Sequence, residues 1–349
     1  MPKSSQAEKI YTASASNQSP SRTKTDKLTK PGVFTLYAAL MKPKIISLLL
    51  ITTVGSMMVA AGGMPSLPLL FWTIIGGTLS AGGANALNHY FDRDIDGMMY
   101  RTSRRPVPLG WVEPRAAIVF GVLLSVLAFV IFYTQVNPLS AVLSLIGGLY
   151  YIVIYTLWLK RRTHHNITIG GVAGAIPTLV GWAAVTGGLE PMAWALFAIV
   201  FLWTPPHTWA LTLMVERDYA RVNVPMLPIM VGREETQRQI IIFSWIFLVS
   251  TLILFPLRLM GWIYFVAALL LGAKFMVNAY RLRREGTRAA ALSLYKYTLY
   301  YIWPCYLPLW WSMFAGNSCC RFAESDDLMR FARFSYNAII ADAQCNHLE

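Results

Sequence analysis

Long apolar stretches, separated by short polar connections, occupy most of the chain. A helix that crosses a lipid bilayer needs about 20 mostly apolar residues. Inside the hydrocarbon layer the backbone must satisfy its own hydrogen bonds, so such stretches fold as helices. A membrane barrel would instead show short segments of alternating character. The pattern predicts nine membrane-spanning helices, at residues 43–63, 67–90, 115–134, 139–158, 166–187, 192–213, 239–257, 260–279 and 297–315.

The composition of the chain indicates the same class of protein. Charged residues make up 13% of its 349 residues and hydrophobic residues 56%. Soluble domains carry roughly 25% charged residues, so this chain has too few charges to cover a water-soluble surface. We therefore expect an all-α polytopic membrane protein, a bundle of nine transmembrane helices surrounded by the lipid bilayer.

The basic residues follow the predicted spans in a regular way. Most of the 30 Lys and Arg residues lie in the N-terminal segment and in the connections after spans two, four, six and eight. The connections on the other side contain only Arg258. Because short loops rich in Lys and Arg stay in the cytoplasm, the pattern predicts a cytoplasmic N-terminus and, with nine spans, a C-terminus on the opposite side. The net charge of +13 then reflects topology, and we expect no nucleic-acid partner.

Two polar segments flank the predicted intramembrane domain at residues 35–316. Residues 1–34 are rich in Ser, Thr and Lys, which predicts a disordered cytoplasmic segment. Arg22 is its only arginine, which is unusual for a mitochondrial transit peptide, so we expect a bacterial inner membrane rather than a mitochondrial one. Residues 317–349 form a tail whose role the sequence does not indicate. No cysteine pair has metal-binding spacing: Cys305 lies in a span as a packing residue, and Cys319, Cys320 and Cys345 lie in the tail.

Acidic side chains stand at the end of the second predicted span. Asn88, Asp92 and Asp96 follow one another at intervals of four residues, which places them on one face of a helix. Mg²⁺ prefers oxygen ligands and completes its shell with water and phosphate oxygens. Charged groups at the edge of the hydrocarbon layer are costly and are usually functional. We interpret the three residues as a catalytic cluster in which Asp92 and Asp96 bind Mg²⁺; the alternative is a solvated group of loop charges.

Basic side chains follow this cluster directly. Arg101, Arg104 and Arg105 come five to nine residues after Asp96, and guanidinium groups bind phosphate oxygens through paired hydrogen bonds. Carboxylates for a metal ion beside arginines for phosphate indicate a diphosphate-binding site. For the arginines taken alone, a purely topological role is the alternative.

The motif Asn88-x3-Asp92-x3-Asp96, followed by the arginines and Pro106, resembles the first aspartate-rich motif of the UbiA-type intramembrane prenyltransferases. Four further segments narrow the resemblance to the protohaem IX farnesyltransferases, also called haem O synthases. They are Lys-Arg-Arg-Thr at 160–163, Asn-Ile-Thr-Ile-Gly-Gly at 166–171, Trp-Thr-Pro-Pro-His at 203–207 and Asp-Tyr-Ala-Arg at 218–221. The resemblance covers roughly residues 35–315.

This resemblance implies a nine-helix bundle around a cavity open to lipid. It implies an enzyme that uses Mg²⁺ and transfers a farnesyl group from farnesyl diphosphate to the vinyl group of haem B. The product is haem O, for haem-copper oxidase biogenesis, and the implied protein partners are haem A synthase and oxidase assembly proteins. Lys160 and Arg161 would bind the diphosphate together with the arginines, and His207 and Tyr219 would contact the acceptor.

Asp218 marks a departure from the wider superfamily pattern. Many UbiA-type enzymes carry a second DxxxD motif, but here Val222 stands four residues after Asp218. We assign Asp218 to the catalytic and metal-binding residues together with the first motif. Three roles stay open: Asp218 binds a second Mg²⁺, it holds an arginine such as Arg104 in place, or it forms a loop salt bridge with Arg217 or Arg221.

Other interpretations also stay open. His207 is either an acceptor or haem-iron contact or a hydrogen-bonded packing residue, and His89 is expected to be structural. A prenyltransferase with another acceptor, such as a quinone precursor or chlorophyllide, would share the same motif. A membrane transporter with an acidic cation site would place its acids near the midplane, whereas Asp92 and Asp96 lie at the end of a span.

Overall fold

The computed structural model describes residues 29–257 and 259–314, with side chains as far as Tyr301. Most of the segment predicted to be disordered, the tail at 317–349 and Arg258 lie outside the described residues. The predictions for Cys319, Cys320 and Cys345 lie there as well. Cys305 belongs to a described helix, but its side chain lies outside the description.

Within the described ranges the chain forms helices and no strand, which confirms the predicted all-α class. Nine of these helices are long, and each coincides with one predicted span. We label them α1 (Pro43–Ala60), α2 (Leu67–Phe91), α3 (Pro114–Val136), α4 (Pro138–Arg162), α5 (Asn166–Thr186), α6 (Pro191–Met214), α7 (Arg233–Leu252), α8 (Trp262–Glu285) and α9 (Arg288–Phe314).

Seven of these nine described helices, α1 to α6 and α8, are long and apolar enough to cross a membrane. The chain is therefore a multi-pass membrane protein. α7 begins with Arg233, Glu234 and Glu235, and these charges lower its average apolar character. The predicted number of long helices is reproduced in the described ranges, and seven of them meet the length and composition expected of a membrane span.

Proline and asparagine residues fix where several helices begin. Proline stands in the first turn of α1 to α4 and α6, where its missing N–H is not needed. Asn137 caps α4, because its side chain accepts a hydrogen bond from the Ser140 N–H at 2.8 Å. The same side chain donates to the Ala183 carbonyl oxygen at 2.7 Å and so ties the start of α4 to the end of α5.

Small residues allow the helices to approach closely. A Cβ atom at Gly121 on α3 would lie 2.9 Å from the carbonyl oxygen of Gly83 on α2, and one at Gly83 would lie 2.7 Å from that of Gly121. Helix association in a bilayer depends on such packing, because lipid supplies no hydrophobic drive between helices. Elsewhere, the Ser56 hydroxyl on α1 donates to the Thr178 carbonyl oxygen on α5 at 2.6 Å.

One end of the bundle carries the connections after α2, α4, α6 and α8, which are rich in Lys and Arg; we call it the basic end. Four short helices adjoin it: Val33–Met41, Arg93–Asp96, Glu216–Arg221 and Leu227–Val231. α3 ends and α4 continues in π-helical turns, at Phe132–Val136 and Tyr150–Leu159. Such turns change the direction of side chains and often lie at functional sites.

Candidate active site

The three residues of the aspartate-rich motif lie together at the basic end. Asn88 belongs to the last turn of α2, and Asp92 and Asp96 belong to the short helical turn that follows. All three side chains are buried. Burying two carboxylates is unfavourable unless cations and hydrogen bonds compensate, so the partners of these groups show what the site is built to hold.

Asn88 connects three parts of the chain. Its amide nitrogen donates to Asp92 Oδ2 at 2.8 Å and to the Thr156 hydroxyl on α4 at 3.2 Å. Its amide oxygen accepts a hydrogen bond from Lys42 Nζ at 2.7 Å. Asn88 therefore positions one aspartate of the motif and links it to a lysine that precedes α1.

Asp92 pairs with the basic end of α4. Lys160 Nζ donates to Asp92 Oδ2 at 2.6 Å, and both side chains are buried. Arg161 lies 4.0 Å from the other oxygen, Oδ1. That oxygen is buried and has no hydrogen bond within the described residues.

Asp96 pairs with the loop that follows the motif. Arg105 donates to Asp96 Oδ2 at 2.6 Å. The Thr102 hydroxyl donates to the Asp96 carbonyl oxygen at 2.9 Å, which folds the loop back over the short helix. The predicted closeness of the arginine loop and the acidic motif is therefore seen in the structure.

Lys42 is a member of the cluster that the sequence did not single out. Its backbone is left-handed, with φ of 58° and ψ of 66°, a conformation that costs energy for a residue with a side chain. Burial, with Arg105 nearby, lowers the pKa of Lys42 to about 7. Lys42 is half-buried, and its ammonium group donates to Asn88, so it belongs to the polar cluster rather than to a solvated loop.

Asp218 contacts the arginine loop through the backbone. Its two carboxylate oxygens accept hydrogen bonds from the Tyr100 N–H at 3.3 Å and the Arg101 N–H at 3.2 Å. The adjacent Tyr219 hydroxyl accepts a hydrogen bond from the Arg101 guanidinium at 3.4 Å. Arg221 lies 4.0 Å from Asp218. Asp218 and Tyr219 therefore hold the loop that carries the predicted phosphate-binding arginines.

The remaining predicted cations differ in how far they are already engaged. Arg161 donates two hydrogen bonds to Asp94, each at 2.7 Å, and these lower the pKa of Asp94. Arg104 is exposed on the loop and makes no ion pair with a described residue. Arg101 is likewise exposed. Arg104 and Arg101 are therefore available to an incoming anion, whereas Arg161 is held by Asp94.

An apolar cavity of about 320 Å³ begins beside the cluster and extends between α1, α2, α4, α5 and α6. Small-molecule sites have volumes of roughly 300–1,000 Å³. Along α2 its lining runs from Asn85, one turn before Asn88, to Gly77. Tyr151 and Tyr155, from the π-helical part of α4, line it as well. The polar cluster and the apolar cavity therefore lie next to each other along α2.

His207 is not part of the cavity lining. Its ring is stacked between Trp203 and Tyr295, with ring centroids 4.2 and 4.8 Å away, and its Nδ1 lies 2.6 Å from the Thr298 hydroxyl. The structure therefore favours the packing interpretation of His207. His89 is buried, and neither ring nitrogen has a hydrogen bond within the described residues.

The residues present fit a Mg²⁺ ion at the first motif. Asp92 Oδ1 is a buried carboxylate oxygen without a hydrogen bond, and Asp96 is the second carboxylate. No three His, Cys, Asp or Glu side chains converge anywhere in the described part of the chain. A metal ion here would therefore need water or phosphate oxygens, which is how Mg²⁺ commonly binds. Because the Asp218 oxygens accept backbone hydrogen bonds, a second metal site has less support.

Buried carboxylates with lysine and arginine partners, next along α2 to an apolar chamber, are suited to an anion that carries an apolar tail. The chain belongs to the UbiA prenyltransferase family, whose sequence profile matches residues 48–312. The resemblance inferred from the motif is thereby confirmed at the level of the family.

Individual relatives give a more specific likeness. The chain is 52% identical to the Protoheme IX farnesyltransferase of Chloroflexus aurantiacus over 266 residues, which cover 76% of this chain and 45% of that protein. It is 50% identical to the protein of the same name from Synechocystis sp. over 268 residues, which cover 76% and 85%. The chain spans about half the length of the relatives from Chloroflexus aurantiacus and Roseiflexus.

Solved structures share the fold. A structure of digeranylgeranylglyceryl phosphate synthase superposes with a TM-score of 0.67 at 17% identity, covering 81% of this chain and 99% of that one. A UbiA homologue from Archaeoglobus fulgidus, bound to DMAPP and Mg²⁺, has a TM-score of 0.57 at 13% identity and covers 79% and 99%. At these identities the likeness establishes the architecture alone.

Proposed function

We propose that this chain transfers the farnesyl group of farnesyl diphosphate to the vinyl group of haem B, giving haem O and diphosphate. The observation that carries the proposal is the pairing of Asp92 and Asp96 with Lys160 and Arg105, close in the chain to Asn85, which lines the apolar cavity. The likeness to the Protoheme IX farnesyltransferases supplies the identities of the prenyl group and of haem. Haem-copper oxidase biogenesis is the process that haem O would serve.

The cationic groups of the cluster bind the diphosphate. Lys160 and Arg105 already stand at the carboxylates, and the exposed Arg101 and Arg104 approach from the loop that Asp218 holds. Asp92 and Asp96 would hold a Mg²⁺ ion, which would supply further positive charge for the leaving group. These groups stabilise the charge that develops as the diphosphate departs, and such electrostatic stabilisation is usually the largest contribution to catalysis.

The reaction breaks the bond between the farnesyl C1 atom and the diphosphate oxygen, and the electron pair leaves with the diphosphate. The terminal vinyl carbon of haem B forms a new bond to C1. The cation left on the inner vinyl carbon takes up water and loses a proton, which gives a hydroxyethylfarnesyl group. The apolar chamber keeps other water away from the allylic cation until transfer is complete.

A different acceptor would leave the diphosphate chemistry unchanged. A quinone precursor or chlorophyllide would meet the same carboxylates and cations, so the cluster alone does not choose between acceptors. A transporter would carry its acids near the midplane, but Asp92 and Asp96 lie at the basic end of α2, beside cations suited to phosphate. The prenyltransferase proposal therefore rests on the cluster, and the choice of haem rests on the relatives.

The acceptor can be identified in one experiment. The full chain in proteoliposomes is given farnesyl diphosphate, Mg²⁺ and one of three acceptors: haem B, an aromatic quinone precursor or chlorophyllide. We expect mass spectrometry to find haem O and no prenylated product from the other two. Farnesylation of either alternative acceptor, with no haem O, would contradict the proposal while preserving the class of reaction.

The orientation of the chain is a further part of the proposal. The basic end faces the cytoplasm of a bacterial cell, as the distribution of Lys and Arg predicts. In a variant without native cysteines, Ser103→Cys at the basic end should be protected from a membrane-impermeant thiol reagent in intact cells. Gly63→Cys, between α1 and α2, should react. The reverse labelling pattern would contradict this orientation.

A further inference from the structure

At the end of the cavity that lies farthest from the acidic cluster, the lining includes one aromatic side chain, Phe132. Phe132 is 0% exposed and lines the cavity. It starts the π-helical turn at the end of α3. Its ring lies against Gly76 of α2, where an added Cβ atom would be 2.8 Å from the ring. The ring packs with Ala141, Ile176 and Val180 in one buried cluster, and Ile176 and Val180 line the cavity beside it.

The length of the cavity can be measured along α2. The residues that line it, Asn85, Ala84, Ala81, Ser80 and Gly77, follow one face of this helix. At 1.5 Å per residue, the distance from Asn88 of the cluster to Gly77 is about 16 Å. The next residue, Gly76, is the one covered by Phe132. With the diphosphate at Asp92 and Asp96, beyond Asn88, the isoprenoid tail begins near Asn88 and has about that length available before it meets the ring.

This length separates farnesyl from the next longer isoprenoid. Each carbon–carbon bond advances an extended chain by about 1.2 Å, as backbone bonds do in an extended peptide. The farnesyl main chain therefore extends to about 13 Å and the geranylgeranyl main chain to about 18 Å. The first fits within the cavity, and the second exceeds it and would have to displace the Phe132 ring.

We propose that Phe132, backed by Gly76, is the residue that sets the length of isoprenoid this protein accepts, by ending the tail chamber after three isoprene units. The inference rests on the proposed prenyl transfer, but not on the identity of the acceptor. Phe132 touches neither the diphosphate cluster nor, through its buried ring, the surrounding lipid. Its effect is therefore confined to the tail.

Three substitutions test the inference in the full chain. Phe132→Ala removes the stop, and Phe132→Leu removes part of it at a lower cost in packing. Ala81→Phe places a ring one turn nearer the cluster than Gly77 and shortens the chamber. Phe129→Ala is the matched control, because Phe129 lies one turn before Phe132 on α3 and does not line the cavity.

The measurement is binding of non-ionisable thiolodiphosphate analogues with geranyl, farnesyl and geranylgeranyl tails, in the presence of Mg²⁺. We expect the unsubstituted protein to bind the farnesyl analogue most tightly. In Phe132→Ala the affinity ratio of geranylgeranyl to farnesyl should rise at least about tenfold, with a smaller rise in Phe132→Leu. Ala81→Phe should shift the preference toward geranyl, and Phe129→Ala should keep the original ratio.

Several results would overturn the inference. One is an unchanged length preference in both the Phe132 and the Ala81 variants; if Phe132→Ala does not fold, Phe132→Leu and Ala81→Phe decide. Another is an equal shift in Phe129→Ala, which would indicate general loosening of the bundle. A third is a change in haem B affinity at constant tail preference, which would place the acceptor in this chamber. Because the probes need no acceptor, failure to form haem O would count against the proposed function and leave this test intact.

Discussion

Two acidic regions stand at the basic end, one after α2 and one after α6, and they are built differently. In the first, Asp92 and Asp96 are buried and each pairs with a cation at 2.6 Å. In the second, Asp218 accepts hydrogen bonds from two backbone N–H groups, and Glu216 pairs with Arg233 on α7. The first region consists of buried ion pairs between side chains, whereas the second holds other parts of the chain in place.

This difference shows that acidic residues at the same end of the bundle can have different roles, one in binding a ligand and one in holding a loop. A carboxylate whose partners are side-chain cations can bind a metal ion while those cations turn to a phosphate. A carboxylate that receives two backbone hydrogen bonds keeps a loop folded, and moving it would release the loop. We therefore propose that Asp218 acts on the reaction through Arg101 and its loop, and that the first region binds the metal ion.

The largest effect is expected in the first region. Asp92→Asn and Asp96→Asn should each lower kcat/KM for prenyl transfer at least about 1000-fold, or roughly 4 kcal/mol of transition-state stabilisation. The reason is that each change removes a charge that fits the metal ion. The measurement is steady-state kinetics at saturating Mg²⁺, with the unfolding temperature as the control for folding. Activity within tenfold of the unsubstituted protein in both variants would place the metal site elsewhere.

Removing the cation that pairs with Asp92 should lower stability in addition to weakening diphosphate binding. Lys160→Met leaves a buried carboxylate without its partner, which should lower the free energy of unfolding by about 3 kcal/mol. The double variant Asp92→Asn/Lys160→Met should recover most of that loss, because no buried charge is left unpaired. Thermal unfolding in detergent micelles measures both changes. Equal destabilisation in the single and double variants would show that the two groups do not compensate each other.

In the second region we expect a smaller effect of a different kind. Asp218→Asn weakens the two backbone hydrogen bonds that hold the arginine loop, so kcat/KM should fall about tenfold, or roughly 1.4 kcal/mol. The Mg²⁺ concentration for half-maximal rate should stay the same, because Asp218 acts through the loop. A large rise in that concentration would instead make Asp218 a metal ligand.

The smallest effect is expected at Glu216, which serves as the matched control for Asp218. Glu216→Gln breaks a partly exposed ion pair with Arg233, and such pairs contribute about 0–1 kcal/mol. Activity and Mg²⁺ dependence should remain unchanged, with at most a small decrease in unfolding temperature. A loss of activity as large as that of Asp218→Asn would remove the distinction between the two residues.

The helices and the first acidic region were predictable from the sequence, for physical reasons. Apolar runs must form helices in a bilayer, and intervals of four residues place Asn88, Asp92 and Asp96 on one face. A buried carboxylate is unfavourable without a cationic partner. Basic residues such as Arg105 and Lys160 could therefore be expected near Asp92 and Asp96. These features depend on local spacing and on charge balance, which a sequence displays.

The residues of the site that were not predicted from the sequence depend on contacts between distant segments. Lys42 reaches Asn88 only because the chain turns into α1 through a left-handed residue, and in the sequence it looks like one more topological charge. Thr156 enters the cluster because a π-helical turn rotates it toward α2. The backbone role of Asp218 and the stacking of His207 likewise arise from packing. The spacing of residues along the chain does not predict any of these contacts.

The contrast between the two acidic regions is tested most directly by ligand binding. The affinity of the full chain for the farnesyl thiolodiphosphate analogue is measured by titration calorimetry with and without Mg²⁺. The variants Asp92→Asn/Asp96→Asn and Asp218→Asn are measured in the same way. We predict that Mg²⁺ strengthens binding in the unsubstituted protein and in Asp218→Asn, and that this enhancement disappears in Asp92→Asn/Asp96→Asn. Retained enhancement in the latter variant, together with its loss in Asp218→Asn, would contradict the account.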